Sequence, residues 1–321
     1  VLYLALRRVG AGVGEDTVVG PVGEVGEVGE VGEVGAERSA SRLRRRGQPL
    51  LLLIWLVFSA LPLAALVALS LKPTAELAAP FTFWPQAVSW DHYRALVAGM
   101  HWTGLADWTR WTPWSRSYLQ SLGYAAISTV ASLLIALPAA YALSRRAFFG
   151  DRTLMAWLLV NRLTPPAILL GAYLQGAALA RLTDSPVAVA SAHLLFTLPI
   201  AVWILEGVLS RVPRSLDEAA RMDGHSFGYV LRRILLPLIR RGVAVAAAYC
   251  FVASWSEQLL ARVLMAGPVQ PAGEGLVAAL AGSRPDWGVA AAATVMLLLP
   301  GLFALAIIRS AFARGLSFGR L

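Results

Sequence analysis

Residues 218–238 read EAARMDGHSFGYVLRRILLPL and separate two long apolar runs of the chain. Nine charged side chains lie in residues 213–241, and each would cost about 2.5–3.5 kcal/mol at the centre of a bilayer. The stretch is therefore expected to lie in water, outside the lipid that the flanking runs would cross.

The composition of the whole chain indicates a membrane protein. Of its 321 residues, 57% are hydrophobic and 15% are charged, whereas soluble domains carry about 25% charged residues. The mean hydropathy is +0.63. The single cysteine, Cys250, cannot form a disulfide within the chain and is expected to be a small buried apolar residue.

Six apolar stretches are long enough to span, because about 20 helical residues cover the hydrocarbon core. The predicted fold is therefore an all-α integral membrane protein with six transmembrane helices in a domain of residues 42–321. Residues 1–41, with their repeated VGE triplets, are expected to be a disordered, low-complexity extension. The predicted spans are residues 49–71, 118–143, 153–180, 187–209, 241–264 and 287–309.

The distribution of basic residues predicts the orientation. Arginines are dense before the first span, between the second and third, between the fourth and fifth, and after the sixth. The positive-inside bias places these segments, and with them both termini and residues 218–238, in the cytoplasm. The basic excess therefore suits a membrane surface, and no nucleic-acid partner is expected.

Within the charged stretch the pattern predicts two short helices joined at Gly224. Asp217 and Glu218 would open the first helix, where the helix dipole favours acidic side chains, and glycine permits the turn that follows. In the second helix apolar residues recur on one face, and Pro237 is expected to end it. The pair, residues 213–240, suits docking in a partner's groove and suits lying flat on anionic lipid about equally.

The same stretch resembles the cytoplasmic loop of permease subunits in binding-protein-dependent ABC importers. That signature has Glu-Ala-Ala, then Asp-Gly, then an apolar helix ending in Ile-x-Leu-Pro. The resemblance runs from about residue 50 to the end and is closest to the second permease of maltose-type sugar importers, which is also similar at FVASWSEQLL, residues 251–260. The residues expected to couple this chain to the ATPase are Glu218, Ala219, Ala220, Asp223, Gly224, Phe227, Ile234, Leu236 and Pro237.

This resemblance implies the architecture of a type I ABC importer permease and half of a heterodimeric pore for carbohydrate uptake. The implied partners are a pair of ATPase subunits, a second permease subunit, an extracytoplasmic solute-binding protein and the lipid bilayer. The sequence contains no GxxxxGK[ST] motif, so this chain is expected to be non-catalytic and to bind no cofactor. ATP and Mg would be used by the partner ATPase.

Four residues in or beside the spans are candidates for a pore or substrate path. An ionisable residue at membrane depth is a functional candidate by default. Prolines permit kinks that suit a pathway that opens and closes, although tolerated kinks without a gating role explain them equally well. The four candidates are Glu257, Trp255, Pro165 and Pro166. The charges at Arg162, Glu206 and Arg262 are expected to pair or to reach the interface, and His193 is expected to be a packing residue.

Six of the eleven tryptophans lie in residues 72–117, the loop after the first span. Tryptophans near helix ends most often form an interfacial belt. A sharper hypothesis is that Trp108 and Trp111 contact the binding protein or a passing sugar, because aromatic faces suit ligands that are partly polar and partly apolar.

Two other functions remain open at this stage. A permease for amino acids, phosphate or peptides shares the loop signature. A proton- or sodium-driven carrier, or a channel, would need no ATPase.

Overall fold

A computed structural model describes residues 49, 51–78, 82–97, 113–146, 150–161, 165–265, 270–280 and 285–313. All regular secondary structure in these ranges is helical, which confirms the all-α fold class. The helices, numbered in chain order, are α1 Leu51–Ser70, α2 Thr74–Leu77, α3 Asp91–Val97, α4 Pro113–Arg145, α5 Asp151–Asn161, α6 Pro166–Leu179, α7 Pro186–Leu209, α8 Ser215–Met222, α9 Phe227–Ser256, α10 Leu259–Leu264, α11 Glu274–Leu280 and α12 Trp287–Ala313.

Contacts divide the chain into two units, residues 1–61 and 62–321. The described part of the first unit belongs to α1, and each of its large apolar side chains is more than half exposed. A helix that is apolar all round is typical of a membrane span.

Five helices in the described ranges are long and apolar enough to cross a membrane, namely α1, α4, α7, α9 and α12. The third predicted span, residues 153–180, is divided between α5 and α6, so the prediction of one continuous helix there is wrong. Pro165 has an extended ψ of 131°, and neither it nor Pro166 can donate a helical backbone bond. At 1.5 Å per residue α5 and α6 are only about 16 and 21 Å long, and each is shorter than the hydrocarbon core of about 30 Å. The total of six spans therefore stays a prediction.

The helix around the predicted fifth span, residues 241–264, also differs from expectation. It ends at Ser256, because Glu257 is extended, and α10 follows separately. At the other end α9 begins at Phe227, and Pro237 lies inside it.

The prediction that Pro237 ends a helix is therefore wrong, and the reason lies one turn earlier. Residues Val230–Leu235 form a π-helical turn, and the Leu236 N–H bonds to the carbonyl of Leu231, five residues back. In a regular α-helix a proline ring collides with the carbonyl four residues before it. A wider turn just before the proline relieves that collision, and proline is well tolerated in the first turn of the α-helix that resumes.

The core of residues 62–321 is built on α4 and α7, which lie parallel. The Ser132 and Thr197 hydroxyl oxygens are 2.6 Å apart, and further along both helices Arg145 donates to the Leu209 carbonyl at 3.2 Å. Helix α9 packs against both helices, and α12 packs against α9. Small residues allow such helices to approach closely, and the buried alanines of α4 and α7 are Ala125, Ala136, Ala140, Ala188, Ala190, Ala192 and Ala201.

Candidate functional site

Helix α8 forms the first half of the candidate coupling loop. Its first turn carries Asp217 and Glu218, as the sequence predicts. The helix ends in a turn with two backbone bonds, from the Gly224 N–H to the Arg221 carbonyl and from the His225 N–H to the Ala220 carbonyl, each 3.0 Å long. Gly224 has φ +78°, a left-handed conformation that favours glycine, and this bonding pattern is the Schellman motif.

The two faces of α8 have different surroundings. Asp217 and Ala220 are buried, and Ala220 belongs to the apolar core that α4, α7 and α9 share. Glu218 and Ala219 are exposed, and so are Asp223 and Gly224 at the end of the helix. The two alanines of the Glu-Ala-Ala sequence therefore do different things, since one anchors the helix and the other lies on its free face.

The second half of the loop is the beginning of α9. The Ser226 hydroxyl caps it by accepting a bond from the Tyr229 N–H. Val230, Leu235 and Ile239 are buried in the same core as Ala220, and Ile234 packs against it. Because one helix continues from this buried anchor to Ser256, a displacement of the loop would act directly on a membrane-crossing helix.

A buried ion pair fastens α8 to the end of α4. Arg145 donates from Nε to Oδ2 of Asp217 at 2.8 Å and from a terminal nitrogen to Oδ1 at 3.4 Å. The other terminal nitrogen donates to the carbonyls of Leu209, at 3.2 Å, and Val212, at 2.9 Å. Leu209 is the last residue of α7 and Val212 lies in the turn after it, so one guanidinium joins α4, the end of α7 and α8. Two-pronged bonds from arginine to a carboxylate are among the strongest and most directional in proteins.

A second set of contacts supports the same junction. Arg221 donates to the Tyr141 hydroxyl at 3.0 Å, and the Tyr141 ring lies 4.9 Å from the Phe227 ring, centroid to centroid. Arg214 donates to the Ser144 carbonyl at 3.3 Å. The end of α4 is therefore hydrogen-bonded to the first half of the loop and in ring contact with the second half.

The outward side of the loop combines apolar and charged groups. Met222 is 89% exposed, and the rings of His225 and Tyr229 stack at 3.9 Å. Leu216, Phe227 and Tyr229 are also exposed. Between this loop and the end of α4 lies a cavity of about 400 Å³, lined by Arg145, Arg146, Arg214, Asp217, Glu218, Arg221 and Phe227 among others. Exposed apolar side chains within a charged rim are typical of a protein interaction surface.

Sequence reasoning missed Arg145 and Tyr141 as functional candidates, although both lie at or just after the end of the predicted second span, residues 118–143. In the sequence, Arg145 indicates only the orientation of the chain, and Asp217 indicates only where α8 begins. An arginine that ends an apolar run and a carboxylate in the next charged loop are the only signals in the sequence, and they do not specify a pair 72 residues apart.

The candidates for a pore path lie apart from this loop. Trp255 is buried; its indole N–H donates to the Leu297 carbonyl at 3.0 Å, and its ring meets that of Tyr118 edge-on at 5.3 Å. Glu257 accepts bonds from the N–H groups of Leu259 and Leu260 at 2.9 and 3.1 Å. In this chain, then, Trp255 packs α9 against α4 and α12, and Glu257 caps α10.

Other predicted residues fall outside this region. Pro165 is exposed at the start of α6, and Pro166 is its first residue. Trp108 and Trp111 lie outside the described residues. His193 is fully buried. Its Nδ1 atom lies 2.6 Å from the Ser254 hydroxyl oxygen, within hydrogen-bond distance, and its ring packs edge-on against the Tyr124 ring.

Comparison with known proteins gives the family. A family described as binding-protein-dependent transport system inner membrane component matches residues 129–318. The trehalose transport system permease protein SugB of Mycobacterium tuberculosis is 27% identical over 265 residues, 82% of this chain and 92% of that protein. The diacetylchitobiose uptake system permease protein DasC of Streptomyces coelicolor is 25% identical over 270 residues, 84% of this chain and 92% of that protein.

The fold agrees with that assignment. A chain in the crystal structure of a bacterial ABC transporter involved in the import of the acidic polysaccharide alginate superposes with a TM-score of 0.68 at 19% identity, covering 85% of this chain and 98% of that chain. With the matched family, the five apolar helices and this architecture together, the chain belongs to the binding-protein-dependent transport system inner membrane components, as a multi-pass permease subunit of an ABC importer.

Proposed function

We propose that this chain forms half of the pore through which a carbohydrate enters the cell, with ATP hydrolysed by partner subunits that bind residues 213–240. The observation that carries the choice of solute is the similarity, over more than four fifths of the chain, to permeases for trehalose and diacetylchitobiose. A maltodextrin permease, MdxG of Bacillus subtilis, is also similar, at 29% identity over 168 residues, 52% of this chain and 59% of that protein.

The loop geometry supports the role proposed for the ATPase. Its outward side exposes Met222 and Phe227 beside Glu218, while its inward side is fixed by the ion pair between Arg145 and Asp217. A surface that is exposed on one side and rigidly fastened on the other can pass on a push from a partner as a rigid-body movement. In this arrangement the chain itself is non-catalytic and binds no cofactor, and ATP and Mg are used by the ATPase pair. Both termini lie in the cytoplasm.

Transport by the purified complex tests the solute. The complex, isolated through a tag on this chain and reconstituted into liposomes with its binding protein, is expected to take up radiolabelled trehalose or a chitobiose- or maltose-type oligosaccharide. Uptake should require ATP and stop with vanadate. Uptake of labelled amino acid, phosphate or peptide, with none of sugar, would contradict the carbohydrate assignment. Sugar uptake driven by an ion gradient without ATP would contradict the ATP-driven mechanism.

A contact between the binding protein and the tryptophan-rich loop is part of this proposal. Replacing Trp108 and Trp111 by Ala is expected to lower sugar uptake while insertion into the membrane stays normal, because the aromatic faces would be lost from the docking surface. The exposed Trp84→Ala variant in the same loop serves as the control. Unchanged uptake in the double variant would leave these residues in the interfacial belt.

A further inference from the structure

A cavity of about 350 Å³ lies between α9 and α12, away from the coupling loop's outward side. Three residues of each helix line it: Arg240, Arg241 and Ala244 of α9, and Ile307, Ser310 and Ala311 of α12. The two helices are antiparallel, since Trp255, later in α9, bonds to Leu297, earlier in α12. The cavity therefore lies where α9 begins its apolar run and α12 ends its own.

The polarity of both helices changes at this level. In α9 the apolar run starts directly after Arg241, and in α12 it stops at Ile308, before Arg309. Two helices that pass from polar to apolar at the same height mark the boundary between headgroups and hydrocarbon. The cavity thus lies at one surface of the membrane, and this placement holds for either orientation of the chain.

The charge of the cavity selects an anion. Two of its lining residues are arginines, and among the described residues that line it none is acidic. Arginine binds phosphate through paired N–H groups better than any other side chain. The Ser310 hydroxyl already donates to the Ile307 carbonyl at 2.8 Å, so the recognition of an anion falls to Arg240 and Arg241.

The apolar lining residues of the cavity favour an amphiphile over a soluble anion. Ala244, Ile307 and Ala311 supply the apolar part of its lining. Phe303, one helical turn from Ile307, is 70% exposed, and it extends this apolar lining towards the membrane interior. Basic pockets between transmembrane helices bind the headgroups of anionic lipids in this way.

We propose that Arg240 and Arg241 bind the phosphate of an anionic phospholipid, whose acyl chain lies along Ile307 and Phe303. The lipid would hold the start of the apolar run of α9 and the end of α12 together at the membrane surface. Because α9 also carries the coupling loop, an occupied site would support the helix that the loop moves.

Native mass spectrometry of the purified full-length chain in its complex tests the proposal. After incubation with phosphatidylglycerol, the wild-type complex is expected to retain bound lipid, and the Arg240→Gln/Arg241→Gln variant to retain at least five-fold less. The control is Arg94→Gln/Arg181→Gln, which removes the same charge from two exposed arginines outside both the cavity and residues 213–240. Equal retention by the wild type and the Arg240→Gln/Arg241→Gln variant would overturn the proposal.

Two further arms identify the ligand. Phosphatidylcholine, which has no net charge, should be retained less than phosphatidylglycerol, and equal retention would refute selection by charge. Soluble glycerol phosphate at the same concentration should displace little of the lipid, and full displacement would show that the cavity binds a free phosphate group. If the arginine variant fails to fold, Ala244→Leu, which fills the apolar half, should also lower lipid retention, and unchanged retention there would count against the site.

Discussion

The Nε atom of Arg145 lies 2.8 Å from Oδ2 of Asp217, and both side chains are more than nine-tenths buried. The pair joins the end of α4 to the first turn of α8, and Arg145 also binds the carbonyls of Leu209, the last residue of α7, and of Val212 in the turn after it. This ionic contact therefore helps to fix the position of α8 relative to α4 and α7.

Asp217→Asn is expected to lower the free energy of unfolding by about 3–5 kcal/mol, because it leaves a buried guanidinium without its counter-charge. Thermal unfolding in detergent measures the loss. A reconstituted complex that carries this variant should hydrolyse ATP but take up less sugar, since the loop loses its buried ionic contact with α4.

The control for this variant is Asp91→Asn. Asp91 forms an ion pair with Arg94 at 3.4 Å, but both side chains are more than two-thirds exposed, and exposed pairs contribute only about 0–1 kcal/mol. If the two aspartate variants have the same stability and the same uptake, the buried pair does not have the role assigned to it.

Gly224→Ala is expected to destabilise the loop, because a residue with a side chain pays about 1–2 kcal/mol for the left-handed conformation at φ +78°. Gly224→Pro should act more strongly, since proline fixes φ near −65° and lacks the N–H that bonds to Arg221. Both should reduce the sugar imported per ATP hydrolysed, as measured in liposomes.

Gly228→Ala supplies the comparison for Gly224. It lies four residues away, in a helix, where an added Cβ meets no atom within 4 Å. Alanine is favoured over glycine in a helix by about 0.5–1 kcal/mol, so this variant should be at least as stable as the wild type and should keep its coupling. Loss of coupling in Gly228→Ala but not in Gly224→Ala would contradict the account of the turn.

Glu218→Arg and Met222→Ala are expected to weaken binding of the ATPase without unfolding the chain, because both side chains point away from the core. The amount of ATPase that co-purifies and the vanadate-sensitive uptake should both fall. The midpoint temperature of thermal unfolding should equal that of the wild type. The matched apolar control is Leu179→Ala, at a side chain 87% exposed at the end of α6. Full ATPase binding by both loop variants would mean that residues 213–240 are not the docking surface.

Gly242→Ala should destabilise the packing of α9 on α7. A Cβ at position 242 would lie 2.7 Å from a methyl carbon of Val208, and overpacking of this kind costs about 1–3 kcal/mol. Val208→Ala removes the methyl groups, so the double variant should recover part of the loss in a thermal double-mutant cycle. Gly207→Ala, where an added Cβ meets nothing within 4 Å, should leave this packing intact, and a larger loss there would contradict the clash.

The predicted helices that agree most closely with the structure follow from local physics. Uncharged runs of more than 20 residues can satisfy their backbone polar groups in lipid only as helices, and α1, α4, α7 and α12 lie within a few residues of the predicted spans. The first turn of α8 and the turn at Gly224 likewise depend on residues a few positions apart. The sequence also contains Pro165 and Pro166. The span of residues 153–180 was predicted from hydropathy, and hydropathy does not register that two prolines interrupt a helix.

Hydropathy and turn chemistry act over a few residues, so they were enough to predict a helical membrane protein with a charged two-helix loop, and the resemblance of that loop added the ABC permease family. Three features became visible only in the folded chain: Pro237 lies inside a continuous α9, Arg145 pairs with Asp217, and Arg240 and Arg241 share a cavity with Ile307. The position of Pro237 depends on the π-helical turn just before it, and the other two relationships depend on helices that meet across tens of residues of intervening chain. Their energies come from packing and from burial of charge, which no local pattern specifies.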